Sequence, residues 1–304
     1  MSASRSPPDK PALTIPGQIE RLRQRGMRVA DGALAAHYLG HLNYYRLRGY
    51  WMHFECQGPG EEERFSPGTT LDEVIRLYDF DRRLRLEIND AIERVEVSLR
   101  ARWAYVLGHH DSCVAHRNPD LFNEYHPTLL GKLEKLYGER NENFLARYLT
   151  RNEEPPIWAA CEVLSLGELS KWLSSIVDWR LRAEIAKPYG IHERVLLSFV
   201  RHLHYVRNIC AHHGRLWNRN LSVHTFAMPK RPQGLVDQLQ HLPSRRNQIY
   251  NVLALLAWIM RIVSPGSAWH TRIRTLLEER PDLWVGMGVP EDWRGFELWQ
   301  EASA

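Results

Sequence analysis

The sequence is short of lysine, cysteine, strand-forming runs and long hydrophobic stretches. Of its 40 basic residues only 6 are Lys and 34 are Arg. Arg suits bidentate phosphate contacts and stacking on planar groups, and a GC-rich genome leaves the same imprint. The four cysteines, Cys56, Cys113, Cys161 and Cys210, are widely spaced and form no CxxC pair, which excludes a disulfide framework and a zinc ribbon. The longest apolar run, Val252 to Val263, is broken by Arg261 and is too short to span a bilayer. The Ser/Pro-rich N-terminus has no apolar segment of the signal-peptide kind, so the expected setting is a reducing cytoplasm. No Gly-rich phosphate loop, GxSxG or HExxH occurs, leaving nucleotide hydrolysis and serine- or zinc-protease chemistry without support.

What is there is ordinary for a soluble globular chain: 304 residues, 44% apolar, 25% charged, with a formal net charge of +4. That mild excess is compatible with a polyanionic partner without requiring one. Residues 1–16 read as a flexible tail, with serines and prolines and little to bury. The rest, 17–304, reads as a single all-α domain. Asp31 is placed to cap one helix, and Cys56 to Thr70 is rich in Gly, Pro and Glu and reads as a loop. From Leu71 to about Val106, Val74, Leu77, Leu84, Ile88, Ile92, Val95 and Leu99 recur at 3–4 spacing. The opposite face of that helix, with Arg82, Arg85, Asn89, Glu93, Glu96 and Arg100, reads as solvated and ion-paired, with a polar seam facing a partner subunit or ligand as the alternative. Further helices are expected over Leu129–Tyr148, Ile157–Ile176, Glu193–His213 and Arg245–Val263, with Gly214 closing the third of these in the C-cap role. The fold class is therefore all-α, a helical bundle with additional peripheral helices.

Chemistry concentrates on the helix from Glu193. At about 100° per residue, Val195, Phe199, Leu203, Val206 and Cys210 share one direction and form the core face. Arg201, His204, Asn208, His212 and, if the last turn persists, Arg215 lie opposite, with Arg207 at the flank. Imidazoles, an amide and guanidinium groups on one helix suit metal-independent RNA cleavage. Histidine moves protons near neutral pH, and a fixed guanidinium stabilises a phosphorane. The bare spacing of an Arg and a His with four to six residues between them carries no weight, because Arg48/His53 and Arg219/His224 repeat it.

The context does carry weight. Arg207-Asn208-Ile209-Cys210-Ala211-His212-His213-Gly214-Arg215-Leu216-Trp217-Asn218 resembles the RN-x-x-AH-x-x-RLWN signature of abortive-infection (Abi) proteins of the AbiD/AbiF type, which are placed among HEPN-domain proteins. Supporting blocks are Gln18-Ile19 with Arg25-Gly26-Met27, Asn43 to Leu47, Phe80-Asp81-Arg82 with Leu84-Arg85, and Pro156-Ile157-Trp158 with Glu162 to Ser165 and Gly167. The resemblance, over about residues 15–225, implies a HEPN-like helical bundle, a homodimer with paired motif helices, and a toxin-like endoribonuclease in antiphage defence. Carried over residue by residue, Arg207 and His212 are the catalytic pair, with Asn208 the polar residue beside them. Arg201, His204, His213, Arg215, Trp217 and Arg219 are the expected RNA contacts, with ordinary helix-end packing the alternative for Arg215, Trp217 and Arg219. No metal or cofactor is implied. RNA is the expected partner, an antitoxin protein or small RNA the expected restraint, and no membrane is involved. The alternative function is a non-catalytic RNA- or protein-binding module that senses infection. A competing metal reading rests on His109, His110, Asp111, Cys113 and His116, which fit no standard ligand spacing. Tyr44, Tyr45, Tyr50 and Trp51, interleaved with Arg46 and Arg48, read as core aromatics ahead of a base-stacking strip.

Overall fold

A computed structural model describes residues 12–56, 64–140 and 142–300. The fold is all-α: among the described residues there is no strand, and only three isolated β-bridges occur. No described helix is long and apolar enough to cross a membrane. The chain divides into two compact units, residues 1–83 and 84–304. The boundary falls inside an unbroken helix, so no linker composition announces it.

The first unit holds α1 (Ile15–Gln24), α2 (Gly32–His41), α3 (Tyr44–Trp51) and the opening turns of α4 (Leu71–His110). Most of the expected tail, and the Gly/Glu-rich part of the expected loop, lie outside the described residues. Pro16 already belongs to the first turn of α1, where its fixed φ and missing N–H cost nothing. Asp31 caps α2 as expected, accepting from the amides of Ala33 and Leu34. Thr70 and Glu73 form a reciprocal cap at the start of α4. Tyr50 and Trp51 are buried, while Tyr45 is exposed. Tyr50 donates to the fully buried Asp81 carboxylate at 2.8 Å.

The second unit holds the remainder of α4, then α5 (His126–Arg140), α6 (Asn143–Leu149), α7 (Ile157–Ala160), α8 (Leu166–Ser175), α9 (Trp179–Ala186), α10 (Glu193–Ala211), α11 (Gln233–Val236), α12 (Tyr250–Val263), α13 (Trp269–Glu279) and α14 (Trp284–Met287). α12 is buried almost all round, which explains its nearly uninterrupted apolar sequence. It begins at Tyr250 instead of Arg245. The helix expected over 157–176 is broken: Ser165 and Glu168 form a capping box that restarts it as α8. α4 delivers Trp103 against Trp172 of α8, with ring centroids 5.6 Å apart, and Glu87 accepts from the Trp269 indole through its carbonyl at 2.6 Å.

The polar face of α4 is only partly the solvated, ion-paired strip that its sequence suggests: Arg82 and Glu93 are exposed. Arg85 is buried, and Arg100 pairs with Glu96 and donates to the Leu164 carbonyl at 2.5 Å. Long polar side chains can serve buried carbonyls of a neighbouring element, a possibility that periodicity along one helix does not report.

Buried histidines give this unit a pH dependence. His116 is fully buried beside Glu154, which also pairs with Arg117. Burial holds the His116 pKa below its ordinary value against the pull of Glu154, and it does the same to His202. As the pH falls through the ordinary imidazole range the unfolded chain takes up protons that the folded one refuses, so stability drops. The melting temperature followed by circular dichroism should therefore fall between pH 7.5 and 5.5. An unchanged or higher value at pH 5.5 would show that the buried rings are not neutral.

Candidate functional site

α10 is the element that presents the motif. Its core face is as expected: Val195, Phe199, Leu203, Val206 and Cys210 are all buried, and Leu196, Val200, His202 and Ile209 widen the buried arc. His192 caps the N-terminus by accepting from the Arg194 amide through Nδ1. The C-terminus departs from expectation. The helix ends at Ala211, and His213, not Gly214, takes the left-handed position at φ 56°. The His213 amide donates to the Cys210 carbonyl and the Gly214 amide to that of Ile209, the paired bonds of a Schellman end. Glycine is instead needed at 214 for closeness, since an added Cβ would lie 3.0 Å from the Ile209 side chain. A left-handed histidine costs about 1 kcal/mol of local strain.

Beyond the cap the chain is pinned. Arg85, 5% exposed, donates from Nη1 to the Gly214 carbonyl at 3.4 Å. Leu216 and Trp217 are buried, and the Trp217 indole N–H donates to the Leu283 carbonyl at 3.3 Å. Of the two readings of Trp217, the RNA contact is the one the structure does not support: at 1% exposure Trp217 offers no face to a base and is a core anchor, the helix-end packing alternative. Arg219 is half-buried and donates to the Arg215 carbonyl at 3.1 Å.

The polar side chains of α10 sort into two groups. Arg201, Arg207 and His212 are exposed, as is His213 beyond the cap. Among the described residues Arg207 and His212 make no ion pair, and they share no hydrogen bond with each other. Five residues on an α-helix separate them by about 7.5 Å along the axis. His204 and Asn208 are half-buried and joined, Asn208 Nδ2 to His204 Nε2, at 3.3 Å. Arg207 Nη1 donates to Asn208 Oδ1 at 3.4 Å, so the amide bridges guanidinium and imidazole. Asn208 thus orients Arg207 and His204, with no bond to His212.

The His204 ring lies directly over Gly167, where a Cβ would meet its Cε1 at 2.5 Å. α8 therefore covers the middle of the stripe that helical projection leaves open. Burial and then the Arg207 charge hold the His204 pKa below its ordinary value. Gly167 belongs to one of the blocks that carry the resemblance, and the structure adds a local reason for it: the His204 ring occupies the space that a side chain at 167 would take. Arg85 reads in sequence as solvent-facing and is buried.

The family model described as Abi-like protein matches residues 37–218, more than half of the chain. The chain belongs to the Abi-like protein family. The matched range of this Abi-like protein begins in α2 and closes on the Leu216–Trp217 anchor, so α11 to α14 and the block Gln18–Met27 lie outside it. No curated protein and no solved structure matches it. Membership supports a role in abortive infection.

The competing metal cluster of the Abi-like chain does not converge. His109 engages the Tyr105 carbonyl, Asp111 accepts from Ser112 and Asn118, and His116 is committed to Glu154. Among the described residues no group of three or more His, Cys, Asp or Glu side chains is placed to hold a metal ion.

Two substitutions check this geometry. Trp217→Ala should destabilise the protein by about 3–5 kcal/mol in urea denaturation, whereas a surface stacking residue would leave stability within about 0.5 kcal/mol. Gly167→Ala should push the His204 ring toward solvent and raise its pKa toward the ordinary value in an NMR titration. An unmoved His204 titration would mean that α8 does not set the ring.

Proposed function

We propose that this Abi-like protein is an abortive-infection effector, a metal-independent endoribonuclease of the HEPN type that works as a homodimer in the cytoplasm. The observation that carries the reading is a pair of exposed side chains without acidic partners, Arg207 and His212, at the pinned end of a rigid buried helix. A guanidinium neutralised by a carboxylate would have no charge to spare for a phosphate. Asn208 leaves Arg207 within reach of solvent while limiting its motion.

In this reading the 2′-OH of RNA attacks the adjacent phosphorus and gives its proton to one imidazole. Arg207 stabilises the charge on the phosphorane oxygens. A second imidazole protonates the departing 5′-oxygen, leaving a 2′,3′-cyclic phosphate and a 5′-OH. The two imidazoles are His212 and its copy from the second subunit, which is why the reading includes a homodimer. Arg201, His213, Arg215 and Arg219 supply further phosphate contacts for the strand. Restraint by an antitoxin protein or small RNA completes the expected biology of such an effector.

Arg207→Ala and His212→Ala should each lower RNA cleavage by about 10²-fold or more while RNA binding changes little, and EDTA should have no effect. Sequencing of RNA ends from cells expressing the wild type and His212→Ala reads target and end chemistry together. Toxicity that persists in both variants would instead identify a non-catalytic module that binds RNA or protein and senses infection.

A further inference from the structure

The flank of α10 away from Gly167 carries a feature that the motif does not use. His202 and His204 are two residues apart and so point about 160° away from each other around the helix. On the His202 side lies a cavity of about 410 Å³ between α10, the segment 221–230 and the start of α12. Its walls are built, not incidental. His202 Nδ1 donates to the His224 carbonyl at 3.0 Å, and the Ala227 amide donates to Ser198 Oγ at 2.9 Å. The Leu221 amide donates to the Asn247 carbonyl at 2.8 Å, and Phe226 packs its ring edge-on against Phe199.

The lining has a definite chemical bias. Its two formal charges are both positive, Lys230 and Arg246, and no carboxylate lines the cavity. Both cations are exposed, and neither makes an ion pair among the described residues. Leu221, Met228 and Val252 supply an apolar floor, with Phe226 beside them. The Asn247 amide and the Thr225 hydroxyl reach the cavity without a hydrogen-bond partner among the described residues. The occupant that satisfies all three zones has an anionic group, a flat apolar body and a hydrogen-bonding edge. The volume falls within the range of about 300–1,000 Å³ that takes whole small ligands. Amide side chains are the usual readers of base edges.

We propose that this cavity is a binding site for a nucleoside monophosphate unit, its phosphate on Lys230 and Arg246 and its base over the apolar floor. The site stands independently of the ribonuclease reading, because free mononucleotides are not cleaved and their binding is measured directly. The unit arrives either as a free nucleotide or as the end of an RNA strand.

Isothermal titration calorimetry of the full chain with AMP, GMP, CMP and UMP tests it, with inorganic phosphate as a second titrant. At least one nucleotide should bind at least tenfold more tightly than phosphate and weaken with added salt. Arg246→Ala and Lys230→Ala should each lower that affinity about tenfold. Ala227→Trp, which fills the cavity from its rim, should abolish binding while circular dichroism stays unchanged. No heat at millimolar nucleotide, affinity indifferent to the three variants, or phosphate binding as tightly as the nucleotides would each overturn the site. A 5′-phosphorylated RNA trinucleotide titrated into His212→Ala separates the sources. Tighter binding than the mononucleotide assigns an RNA end, and weaker binding assigns the free nucleotide.

Discussion

A helix C-terminus exposes carbonyl groups that have no donor within the helix, and the way α10 satisfies its own fixes the geometry of everything beyond it. The His213 and Gly214 amides turn back to serve Cys210 and Ile209, and the buried Arg85 guanidinium meets the next carbonyl, at Gly214. Positive charge at this end also opposes the negative pole of the helix. The chain then drops Leu216 and Trp217 into the core. Between these two fixed points the residues left facing water are His212 and His213. Their positions follow from the satisfaction of neighbouring backbone groups.

The same economy governs the rest of the polar stripe. α8 reaches α10 because Ser165 and Glu168 restart a helix at the right place and Gly167 opens a gap for an imidazole. His204 fills that gap, Asn208 holds His204, and Arg207 leans on Asn208. A row of side chains that projection alone would leave solvated is therefore partly internal, and only its ends are free to meet a ligand.

Much of this was legible in one dimension. The 3–4 recurrence in α4 and the apolar face of α10 depend only on the helical repeat, and both came out as read. The Asp31 cap also follows from local chemistry. The errors share a cause. Gly214 was given the left-handed cap because glycine tolerates it, but the helix stopped early enough for His213 to take the position. The sequence over Ile157–Ile176 reads as one continuous helix, but the Ser165–Glu168 capping box restarts the chain beside Gly167. Trp217 reads in sequence as either an RNA contact or a packing residue and Arg85 as surface, because neither residue shows from its neighbours in sequence what it packs against in space.

The amino-acid order by itself settled the all-α class, the core face of α10, and the run of adjacent residues from Arg207 that carries the family resemblance. Those depend on local propensity, periodicity and a signature of adjacent residues. Which of the polar groups stay available was decided only by tertiary packing. Burial of Trp217, the insertion of His204 against α8 and the cavity beside His202 all arise where segments distant in sequence compete for the same space.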